Sequence, residues 1–186
     1  LDGKPRLMIN SSRDIKSETI FQILNKANKT TVSINLPVTY PPFKVNGAMV
    51  SDAQLTPSKD CNFTYPSDLF EKIGWNKKDY ILNVRRPGYY HEGQEINLLK
   101  DISISTQRRA EFALSIMDKI IWDLFIIVFT ETDCLQHRML HYIDPSHPFY
   151  NEKFKSEIND YFFMLDKMIL RLVERAGKDT YVFIVS

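Results

Sequence analysis

The sequence predicts an α/β protein: a mostly parallel sheet flanked by helices, interrupted by a loop-rich insertion. Three observations predict it. Short β-rich runs alternate with longer stretches of helical periodicity, the order that builds a parallel sheet covered by helices. The run Asp123-Leu-Phe-Ile-Ile-Val-Phe-Thr130 is apolar throughout its centre, as in a strand buried on both faces. Between about residues 40 and 93 the chain carries Pro41, Pro42, Gly47, Pro57, Pro66, Gly74, Pro87, Gly88 and Gly93, a density of breakers that reads as loop.

Each element follows from local pattern. Ile15, Thr19, Ile20, Ile23, Leu24 and Ala27 recur at helical spacing, so the first helix is expected over Ile15 to Asn28 with Asp14 as its N-cap. A strand follows at Thr31 to Leu36 and stops at Pro37. Pro41-Pro42 forces an extended path, because proline restricts both itself and its predecessor. Within the insertion, a short helix is expected near Ser67 to Ile73 and a strand near Tyr80 to Val84. An insertion of this kind more often shapes a substrate pocket than a core. One or two helices run from Ile96 to Ile121, with Phe112, Ile116, Ile120 and Ile121 on the apolar face. After the strand Asp123 to Thr130, a helix begins near Cys134. A long helix spans Glu152 to Arg175, burying Phe154, Ile158, Tyr161, Phe162, Leu165, Met168, Ile169 and Leu172. Gly177 ends it, and Tyr181 to Val185 reads as a last, buried strand.

Length and composition narrow the function. The 186 residues fit a single domain, 1–186, large enough to bury a core. A formal charge of +1 gives no electrostatic footprint for nucleic acid or an anionic membrane, though a nucleotide as a small substrate stays open. Leu124 to Phe129 is too short to span a bilayer, and no signal segment opens the chain. Cys61 and Cys134 form no CxxC pair, which points to a reducing compartment and a cytoplasmic protein. The chain opens on Leu1 rather than Met and stops straight after an apolar run, so it is expected to be an internal piece of a longer protein.

Chemistry concentrates just past the Asp123 to Thr130 strand. In open α/β sheets, ligands bind outside the carboxyl ends of strands. A helix starting near Cys134 puts Asp133 and His137 one turn apart, where a carboxylate oxygen and an imidazole nitrogen can converge on zinc or a similar ion. The same spacing also describes an N-cap aspartate with an exposed histidine. His141 lies one turn further on, but Arg138 stands where a hydrolytic glutamate would follow His137, so His141 reads as a packing or hydrogen-bonding residue. His147 is a candidate for phosphate, substrate or metal contact, or a solvent-facing turn residue. Arg85 and Arg86 could hold an anion or simply solvate a surface. Tyr40 and Phe43 offer aromatic walls for a base, or a local hydrophobic anchor.

Several segments, in order over nearly the whole chain, carry a family resemblance. They are Asn35-Leu-Pro-Val-Thr-Tyr-Pro-Pro42, Val45-Asn-Gly47, Met49-Val-Ser51, Leu55-Thr-Pro-Ser58, Thr64-Tyr-Pro66 and Trp122-Asp-Leu-Phe125. The most specific is the segment from Thr132-Asp133 through Gln136-His137 to Asp144-Pro and His147-Pro148. Together they resemble the type I phosphodiesterase/nucleotide pyrophosphatase family of the alkaline phosphatase superfamily. The resemblance implies part of an alkaline-phosphatase-like fold and a site with two divalent metal ions, usually zinc. Asp133 and His137 match the positions of two ligands of one metal. The Thr or Ser nucleophile is expected upstream of Leu1, and an Asp-His-Gly ligand segment just beyond Ser186.

The implied reaction is two in-line displacements at the phosphorus of a small phosphoester or nucleotide, through a phospho-enzyme. With two ligands and no nucleophile, the chain alone is expected to be inactive. A phosphoglycerate-mutase-like or sulfatase-like relative is the alternative within the superfamily. From another class, a non-catalytic binding domain could use the loop around Tyr40 to grip a partner.

Overall fold

A computed structural model describes residues 10–84 and 93–185. The element order is α1 (Ile20–Lys26), β1 (Thr31–Leu36), β2 (Gly47–Ser51), β3 (Thr64–Tyr65), α2 (Leu69–Lys72), α3 (Glu95–Lys119), β4 (Leu124–Ile127), α4 (Thr130–Met139) and α5 (Glu152–Ala176). This is a mixed α/β chain, as its periodicities predict. It divides into two compact units, Leu1–Leu69 with Trp122–Ile127 and Phe70–Ile121 with Val128–Ser186.

The first unit is built on a four-stranded sheet of order β3-β2-β1-β4. Strand β1 pairs in parallel with both β2 and β4, and only the two-residue β3 runs antiparallel. Strand β1 is buried at Thr31 through Asn35, as expected of a central strand, whereas β4 lies at the edge and is half-buried at every residue. Helix α1 buries Phe21 against Val45 and Met49, with Leu36, Phe43, Tyr65 and Ile126 closing that core. Gly47, where β2 begins, has φ +139°, and a Cβ there would stand 2.3 Å from the Thr31 carbonyl oxygen. Only glycine lets β2 approach β1 this closely.

The second unit is helical. Leu98, Leu99 and Ile102 of α3, Leu135 and Met139 of α4, and Ile158, Tyr161 and Leu165 of α5 share one core with Val84. A second group of rings joins Phe112 of α3 to Phe70, Trp75 and Tyr80, with centroids 4.8–5.2 Å from Phe112. Asn151 caps α5, its side chain accepting from the Lys153 and Phe154 amides.

Five sequence expectations change. The first helix starts at Ile20, not Ile15, because Thr19 and Gln22 form a reciprocal capping box there. Asp14 instead accepts from Ser11 and closes a separate 3-10 turn. The insertion contributes β2 and β3 to the sheet, and Val45, Ala48, Met49, Val50 and Phe63 within it are core residues. Residues 80–84 form no strand, although Tyr80 and Leu82 are buried. The α3 face ends at Met117, since Ile121 is 93% exposed. Tyr181 to Val185 is likewise neither paired nor buried, with Tyr181 and Val185 each 90% exposed. An apolar run predicts a strand only where a neighbouring strand is there to pair with it.

Candidate functional site

Helix α4 follows β4 directly in the chain and carries the candidate metal ligands. Its residues divide by face. Glu131, Leu135 and Met139, spaced four apart, are buried, while Asp133 and His137 project on the exposed side. Asp133 Oδ1 and His137 Nε2 lie 3.3 Å apart, with side chains 61% and 77% exposed. Two donors on a tetrahedral zinc, each about 2.0–2.1 Å from it, are themselves about 3.3 Å apart. The spacing and the oxygen-plus-nitrogen donor pair thus fit half of a zinc site. The same two atoms also make an ordinary (i, i+4) ion pair when the imidazole is protonated. Among the described residues, no three His, Cys, Asp or Glu side chains converge as a fuller metal site.

The segment after α4 holds His141 and His147. The His147 amide donates to the Asp144 carbonyl at 3.0 Å, and the Tyr150 amide donates to the His147 carbonyl at 2.9 Å. His147 Nδ1 accepts from the Phe149 amide at 3.2 Å. Its ring centroid is 5.4 Å from that of His141, which itself packs 4.1 Å from Tyr142. The Asp144 carboxyl is held below its ordinary range, first by the Ser146 hydroxyl, then by the Ser146 amide, with His147 adding to it.

Tyr40 belongs to the first unit and is half-buried. Its loop is fixed by Asp52, whose carboxylate accepts from the Val38 amide at 3.0 Å and the Gln54 amide at 2.7 Å. Val38 sits at φ +62°, a costly conformation for a β-branched residue that the surrounding bonds must hold. Desolvation, followed by a hydrogen bond with Cys61, raises the Tyr40 hydroxyl above its usual value. Phe43 packs edge-on against Phe21 at 5.6 Å and is an anchor of the α1 core rather than a ligand wall. Arg85 and Arg86 lie outside the described residues.

Sequence reasoning missed a buried polar network at the start of α4. Arg109 of α3 is fully buried and pairs with Glu131. Arg109 also donates to the Thr130 hydroxyl at 3.0 Å and to the carbonyls of Val128 and Leu82, each at 3.3 Å. The second Glu131 oxygen accepts from Ser105. A neighbouring pair, Thr106 and Tyr161, shares a hydrogen bond of 3.1 Å, and burial pushes the Tyr161 hydroxyl up to about 12. The signal was present: Arg109 falls on the same helical stripe as Ile102, Ala113 and Ile116, where a solvated arginine has no place.

Compared with known protein families, residues 2–186 match the model of type I phosphodiesterase / nucleotide pyrophosphatase. The chain belongs to this family. The match spans both units, from the Tyr40 loop to the Asp133–His137 helix, so the resemblance carried by the motifs extends to the sequence as a whole. No curated protein and no solved structure matches this phosphodiesterase-family chain.

Proposed function

We propose that this chain forms part of a metal-dependent phosphodiesterase or nucleotide pyrophosphatase, with Asp133 and His137 as two ligands of one divalent ion. The observation that carries the reading is their 3.3 Å convergence on one exposed face of α4, within a chain of the phosphodiesterase family. Asp133 supplies an anionic oxygen and His137 an imidazole nitrogen, the donor mixture that suits zinc. The bound ion supplies Lewis-acid stabilisation of an oxygen leaving phosphorus. The second ion follows from the family resemblance. Tyr40 and His147 are the candidate substrate contacts, one aromatic and one polar. A net charge of +1 favours a small phosphoester or nucleotide over a polynucleotide. Neither cysteine is in a disulfide, and no helix among the described residues is long and apolar enough to cross a membrane. The free thiols are what supports a cytoplasmic setting.

Two protein donors hold an ion weakly, and no residue described here is assigned as nucleophile. The isolated chain is therefore expected to be inactive towards bis-(p-nitrophenyl) phosphate. The protein that contains it is expected to cleave that ester, and Asp133→Asn to lower kcat/KM by about 100-fold or more. Full activity in that variant would remove Asp133 from the site.

A further inference from the structure

The Arg109–Glu131 pair is buried where charges are expensive. Taking both groups out of water is costly even after the surroundings relax, and apolar residues of similar volume often serve stability as well. In some proteins such a pair fixes one geometry among several. Here the geometry it fixes is the first turn of α4. Arg109 bonds to three points around that turn: the Val128 carbonyl, the Thr130 hydroxyl and the Glu131 carboxylate. Ser105 holds the other Glu131 oxygen, so the carboxylate cannot rotate freely. The turn has no cap of its own, because Phe129 at the N-cap offers no side-chain acceptor. The network ties this uncapped turn to α3 through side chains and one carbonyl.

Rotation of a helix is set by whichever face is locked. Glu131 lies two residues before Asp133, so it points to the opposite side of α4, and Leu135 and Met139 extend its buried face. Fixing Glu131 therefore fixes the direction in which Asp133 and His137 project. We propose that Arg109, Glu131 and Ser105 are positioning residues that aim the Asp133–His137 pair at a divalent cation. This rests on the reading of that pair as metal ligands. None of the three touches the ion.

Three variants separate this role from a purely structural one. Glu131→Gln keeps the shape and removes the charge. Ser105→Ala removes a single hydroxyl, so it is the gentler change. Tyr161→Phe disturbs the same core through Thr106 but leaves the α4 turn alone. Zinc chloride is titrated into each isotope-labelled chain, and the shifts of the Asp133 and His137 resonances give a site-resolved affinity even when binding is weak. Circular dichroism checks the fold. The expected result is binding weakened about 10-fold in Glu131→Gln and measurably in Ser105→Ala, the range seen when supporting contacts around a metal site are lost. Tyr161→Phe is expected to bind as the parent does while unfolding at a lower temperature. Unchanged affinity in both Glu131→Gln and Ser105→Ala, with a responsive parent, overturns the positioning role. A parent chain whose Asp133 and His137 resonances ignore zinc overturns the ligand reading itself, and the positioning role with it.

Discussion

Asp123, at the entrance to β4, is an exposed carboxylate with an organising role. Its Oδ2 accepts from the Thr30 amide at 2.8 Å and its Oδ1 from Lys29 Nζ at 3.0 Å, while its own amide donates to the Thr30 carbonyl. The Thr30 amide above all, then Lys29, holds its carboxyl below the ordinary value of 3.8. A depressed folded-state pKa adds stability above the unfolded value, and that stability is lost as pH falls through the folded one. Asp123→Asn is therefore expected to unfold at lower urea than the parent at neutral pH, with the difference closing as pH drops below 3.8. A difference that stays constant into strong acid would contradict this assignment. At the same scale, the one-turn spacing of Asp133 and His137 also fits an aspartate cap with an exposed histidine, and it was the family resemblance that singled the pair out as candidate ligands. Arg109 left a trace, as a charge on an apolar helical stripe, but Glu131 did not, since a lone carboxylate at the start of a helix reads as solvated until its partner from another helix is visible.

Helices α3 and α4 are joined by that charge pair as well as by apolar packing. Arg109→Leu leaves the Glu131 charge buried with only the Ser105 hydroxyl beside it, and is expected to cost about 3–5 kcal/mol in thermal or urea unfolding. The double change Arg109→Met with Glu131→Leu is expected to recover most of that loss, because neither charge remains to be desolvated. A double variant as unstable as the single one would show that the arginine's shape, not its charge, is what the core requires. The elements themselves were unevenly readable. Strand β1, α3 and α5 appear where periodicity placed them, β1 by strict alternation and the two helices by long apolar stripes. Strands β2 and β3 were hidden, since Gly47 and Pro66 beside them read as breakers. Gly47 is in fact the residue that permits close pairing with Thr31. Tyr80 to Val84 misled in the opposite direction, because burial by aromatic packing leaves the same apolar signature as a strand.

For the whole molecule, the sequence pattern reached the fold class and the family before any coordinates did. The mixed α/β chain, its largely parallel sheet and the phosphodiesterase family match over residues 2–186 agree with one another. What pattern could not supply was the three-dimensional partnership: which run pairs with which strand, and which charge meets which. The function proposed here depends on the same kind of partnership, between α4 and a divalent ion. Calorimetric titration of zinc into this chain and into His137→Ala tests that most directly. The account predicts weak binding by the parent chain that disappears in the variant. Binding of equal strength in both would contradict it, because the ion would then be held by groups other than the Asp133–His137 pair.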